Sequence, residues 1–192
     1  MKDRIKKLRR ALPALTRATT LALEDAGLPP ERQCLIYTLV AGMAVSYFYG
    51  QNAPLVQAGQ REIIIADVDN PLGPLALDYG EDADMSLETG WVHVWIVIRP
   101  GMGLSDFWFL DLAAVHIPKL AELNELACEI PGAPFLSAQD SIGIAKPYRL
   151  GQVRYTASEP LTNQLVSQLV TRHYERPMRI ASETFRRVEG SL

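Results

Sequence analysis

Two apolar runs joined by a turn constrain this chain more than any other feature. Gly90-Trp91-Val92-His93-Val94-Trp95-Ile96-Val97-Ile98 and Phe107-Trp108-Phe109-Leu110-Asp111-Leu112-Ala113 are rich in β-branched and aromatic residues, and a Gly- and Pro-containing turn sequence, 99–105, separates them. The pattern specifies a β-hairpin. Side chains alternate along a strand, so Trp91, His93, Trp95 and Val97 share one face, while Val92, Val94, Ile96 and Ile98 form an apolar face. A turn centred on Met102 pairs residue i with residue 204 − i, which sets Phe107 opposite Val97 and Asp111 opposite His93. A carboxylate beside an imidazole orients the ring and stabilises its protonated form.

A nucleophile for such a pair lies upstream. The segment from Glu31 to Tyr49 is apolar nearly all round and is expected to be a buried central helix, with Pro30 in its first turn and Gly50 at its end. Cys34 falls in that first turn, where unpaired N–H groups and the helix dipole favour a thiolate and are expected to lower its pKa. Before it, 2–12 places Ile5, Leu8 and Leu12 on one helical face opposite six Lys/Arg among the first ten residues, which read as a solvated face. Pro13 is expected to kink or restart that helix, and Gly27 to end it.

After Gly50, 54–59 and 61–66 read as two strands, and Asp67 to Glu88 as a loop. Beyond the hairpin, Ile117 to Glu129 reads as a helix, 130–150 as a long surface loop, and Val153 to Ala157 as a strand at a sheet edge. Ser158 starts a helix carrying Leu161, Leu165 and Leu169, and Pro177 splits off a last one through Phe185 and Val188. Helices, then an antiparallel sheet, then helices is an α+β order. With 192 residues the chain is expected to form a single domain, 1–192, with N-terminal helices over 2–26, a core over about 31–113 and C-terminal helices over about 159–189.

These residues resemble the transglutaminase-like superfamily, the papain-like group that includes transglutaminases and small bacterial cysteine peptidases. Cys34 leads a core helix, Gly50 to Gly59 is similar to the Gly-initiated strand that follows it, His93-Val94-Trp95 matches the frequent His-x-Trp, and Trp108-Phe109-Leu110-Asp111 resembles Trp-x-x-Leu-Asp, one residue shorter. The resemblance spans about Glu31 to Ala113. It implies a central helix packed on an antiparallel sheet and a Cys34–His93–Asp111 triad that forms a thioester on an amide or acyl bond of a peptide, protein or small substrate. Hydrolysis by a peptidase, amidase or deamidase is favoured over acyl transfer. Gln33, Trp91 and Trp95 are candidate oxyanion or cleft residues. The alternative is an inactive member of the same fold that serves as a binding or regulatory module.

Composition narrows the rest. A net charge of −3 gives no electrostatic case for nucleic acid, and no apolar run is long enough to span a bilayer. Two cysteines suit a reducing compartment, and the N-terminus lacks an apolar h-region, so a cytoplasmic location is expected. No cofactor is expected: neither a metal-ligand spacing nor a phosphate-cradling Gly motif occurs, and the calcium-like run Asp67 to Gly73 carries Pro71 and Leu72 at two critical positions. Cys128, His116 and His173 have no recognisable partner and read as structural or surface residues.

Overall fold

The computed structural model describes residues 2–63, 93–99, 107–123, 130–139, 147–150, 153–169 and 174–192. The helix α1 (Lys2–Asp25) is followed by a short 3-10 turn (Pro30–Arg32) and by α2 (Cys34–Tyr49). The strands β1 (Pro54–Ile63), β2 (His93–Ile98) and β3 (Phe107–Asp111) lead into a 3-10 turn (Ala113–His116) and α3 (Ile117–Leu123). Then come β4 (Phe135–Gln139), β5 (Pro147–Leu150), β6 (Val153–Ala157), α4 (Glu159–Leu169) and α5 (Glu175–Glu189). The class is α+β, with one antiparallel sheet in the order β4-β3-β2-β1-β6-β5.

The absence of any charged residue in α2 decides where it goes. Ile36, Tyr37, Val40, Ala41, Ala44 and Val45 are buried on several sides of the helix. They pack with Ile96, Ile98 and Leu110 of the sheet below, with Leu8, Leu12 and Leu15 of α1, and with Ile180, Phe185 and Val188 of α5. Each fully buried side chain of this kind contributes roughly 1.5–3 kcal/mol. The opposite sheet face carries a separate core of Trp95, Val97, Phe109, Val153 and Tyr155, closed by Ala114, Ile117 and Ile130. Alternation along β2 and β3 therefore divides the molecule in two, with α2 on one side and the aromatic cluster on the other.

Several expectations change. α1 runs through Pro13 without a break. Pro13 lies on the exposed side of the helix, where water can take the carbonyl its ring leaves unpaired. The 54–59 and 61–66 strands are one strand across Gln60, with 64–66 outside the described residues. The stretch 130–150, expected as a loop, supplies β4 and β5. β6 is not an edge strand, because β5 lies outside it. The final helix starts at Glu175, so Pro177 sits in its first turn, where proline is tolerated. The 67–88 loop with its calcium-like run, and 124–129 of the expected helix, are outside the described residues. Ser158 does open α4, accepting a hydrogen bond from the Leu161 N–H at 3.5 Å.

The hairpin pairs as expected in faces but not in register. Ile96 faces Leu110 and Val97 faces Phe109, so residue i faces 206 − i instead of 204 − i. A shift of two in the pairing keeps every side chain on its original face. In this register His93 and Asp111 are diagonal rather than direct neighbours.

Candidate functional site

β3 ends at Asp111 and turns away, so the first residues of β2 lose a strand neighbour on that side. Ala58 turns its N–H and C=O toward Thr162 and Ser158, away from β2. Its partner Val94 therefore points both backbone groups into the gap that β3 leaves. The start of α2 fills that gap. Thr38 donates to the Val94 carbonyl at 2.7 Å, and Cys34, one turn earlier on the same helix face, takes a hydrogen bond from the Val94 backbone. The first residue of α2 is thereby fixed against the peptide that follows His93.

On the other side of that peptide, the His93 Nε2 lies 2.7 Å from Asp111 Oδ2. Tyr155 on β6 donates to the same oxygen at 2.8 Å, and Arg61 on β1 reaches it at 3.3 Å. His93, Asp111 and Arg61 are 5, 1 and 4% exposed. Trp95 stacks on the His93 ring with centroids 6.1 Å apart, and its indole N–H donates to Gln57 at 3.0 Å. Asp111 Oδ1 is buried and has no partner among the described residues.

The charges follow from this geometry. Burial opposes ionisation of Asp111, but His93, Arg61 and the Tyr155 hydroxyl outweigh it and hold the carboxyl down at about 2. Burial, reinforced by the Arg61 cation, lowers the His93 pKa below its ordinary value despite Asp111. Burial, then Asp111, raises the Tyr155 phenol well above its ordinary range, so it stays a donor. A neutral His93 that donates Nε2–H to an ionised carboxylate leaves Nδ1 as its acceptor. With that proton on Nε2, Arg61 Nη1 at 3.4 Å is a nearby cation and not a hydrogen-bond donor to the ring.

The thiol departs from expectation. Burial pushes Cys34 up to about 11, against the lowering influence of the Val94 backbone and Arg61. The helix start does favour a thiolate, but it is outweighed because Cys34 packs among Ala58, Val94 and Leu165. The resting site is therefore a neutral thiol and a neutral imidazole.

Among the expected residues, His93 and Asp111 are hydrogen-bonded to each other, and Cys34 is hydrogen-bonded to the backbone of Val94, the residue after His93. Gln33 is the N-cap of α2: its carbonyl accepts from Ile36 and Tyr37, and its side chain makes no capping bond. Trp95 is fully buried and packs the relay from behind. Trp91, Cys128 and His173 lie outside the described residues. His116 is not isolated: its Nε2 is 2.6 Å from the Tyr37 hydroxyl, which is itself 2.6 Å from Thr20 Oγ1. Arg61 and Tyr155 are the site residues that sequence reasoning missed. Arg61 carried a signal, being a charged residue in line with Gln57 and Gly59 on the strand face that meets His93.

Among the described residues no cluster of His, Cys, Asp and Glu could hold a metal ion, and no helix is long and apolar enough to cross a membrane. No family model, curated protein or solved structure matches the chain.

Proposed function

We propose that the chain is a cysteine-dependent hydrolase of transglutaminase-like type, acting on an amide or related acyl bond of a peptide, protein or small substrate. The observation that carries this reading is the 2.7 Å His93–Asp111 bond made through Nε2, with Cys34 held against the next peptide of the same strand. Cys34 Sγ attacks the carbonyl carbon as its proton passes to His93 Nδ1. Asp111 stabilises the imidazolium that forms, through Nε2–H. The N–H of Cys34, at the start of α2, is placed to receive the developing oxyanion. Collapse of the tetrahedral intermediate breaks the C–N bond, and the amine leaves with the proton from His93. Water then attacks the thioester, giving its proton to His93, and the acid and free thiol are released. Because thiol and imidazole are both neutral at rest, proton transfer accompanies attack instead of preceding it.

A second reading, an inactive binding module on the same fold, is favoured by the buried Arg61–Asp111 pair and by the raised Cys34 pKa. Hydrolysis of a panel of peptide and aryl amides by wild type, Cys34→Ala and His93→Ala separates the two. The enzyme reading predicts that each variant loses at least about a thousandfold in kcat/KM, while the Tm of Cys34→Ala stays near that of wild type. A Cys34→Ala protein as active as wild type would sink it.

A further inference from the structure

A cleft lies between the C-terminal end of α1 and α5. It encloses about 370 Å³. Ala22 on α1 and Ala26 just past its end leave the space, and Arg176, Arg179 and Arg187 of α5 surround it. Asp25 and Glu183 share the cleft, yet the ion pairs of the described residues include none of these three guanidiniums. Arg176 donates to the Ala26 carbonyl at 3.5 Å. Three guanidiniums against two carboxylates leave the cleft a net positive charge, and a planar guanidinium is the side chain best matched to an oxyanion.

Thr184 adds an independent observation. It lines the same cleft, is 1% exposed, and its hydroxyl has no partner among the described residues. A helical threonine can donate to the carbonyl four residues earlier, and Thr19, Thr20 and Thr162 do so here. Thr184 does not, and a buried hydroxyl without a partner is costly.

We infer that this cleft binds the oxyanion of a small phosphorylated or carboxylated molecule through Arg176, Arg179, Arg187 and the Thr184 hydroxyl. Asp25 and Glu183 face whatever hydroxyl or ammonium donors that molecule carries. The site is independent of the Cys34 chemistry.

Calorimetric titration of the full chain with inorganic phosphate, methyl phosphate and succinate tests it, with ionic strength held constant by sodium chloride. Saturable binding is expected at or below about 1 mM for at least one of them. The tighter class, phosphate or carboxylate, names the head group. Arg179→Gln and Arg187→Gln, both at exposed positions, are each expected to weaken binding about tenfold. Thr184→Val is expected to weaken it several-fold without lowering the Tm of the unliganded protein. Absence of saturable binding to all three probes would overturn the inference. So would arginine variants that bind like wild type, which would leave only non-specific attraction to a basic surface.

Discussion

Arg61 reinforces what burial does to the protonation state of His93. His93 is faced by Asp111 from β3, Arg61 from β1 and Tyr155 from β6, and Arg61 is the one cation among them. Burial penalises the imidazolium first, and the Arg61 charge adds to that penalty. Removing the charge therefore raises the proton affinity of His93, so Arg61→Gln should move its titration, and with it the acid limb of any pH–rate profile, to higher pH. The chain contains three histidines, so their ring signals can be followed separately by NMR. A His93 that titrates at the same pH in the variant would show that Arg61 does not govern it. Much of the pair was readable from sequence because alternation puts His93 and Asp111 on one face whether the register is 204 − i or 206 − i. The direction of the Cys34 shift was not. It depends on how deeply Ala58, Val94 and Leu165 bury the sulfur, which is a tertiary fact that the helix start alone does not contain.

At the scale of elements, β1 is the strand on which the site is built, and Gly59 is its tightest point. Gly59 pairs with His93 on one side and Ala157 on the other. A Cβ there would collide with the Thr156 carbonyl oxygen and come within 2.9 Å of Ala157 Cα, both backbone atoms that cannot swing aside. Gly59→Ala should therefore push β6 off β1 and withdraw Tyr155 from Asp111, destabilising the protein by about 3 kcal/mol or more. Urea denaturation measures this, and a variant within about 0.5 kcal/mol of wild type would contradict the close approach. Strong patterns made α2, β2 and β3 legible: uninterrupted apolarity in the first, alternation in the other two. β4 and β5 were not, because each is short and sits in a stretch punctuated by Pro131, Gly132, Pro134 and Pro147. Those turn signals dominate a local reading, whereas the strands exist because β3 and β6 offer them open edges. The same tertiary override carries α1 through Pro13.

The whole molecule is a sheet with two unlike faces. One is covered by α2 and its flanking helices, the other by an aromatic cluster that surrounds the Asp111 relay. These halves meet at polar atoms in the gap where β3 leaves β2, which Thr38 and Cys34 fill. The central claim is that Cys34 reacts with carbonyl carbon under the control of His93. The most direct measurement is mass-spectrometric trapping of the acyl-enzyme formed with an activated aryl ester, comparing wild type, His93→Ala and Cys34→Ala. The account predicts an acyl group on Cys34 in wild type, formed at least about a hundredfold more slowly without His93, and no equivalent adduct on Cys128. Acylation of Cys34 at the same rate in His93→Ala, or labelling confined to Cys128, would contradict it.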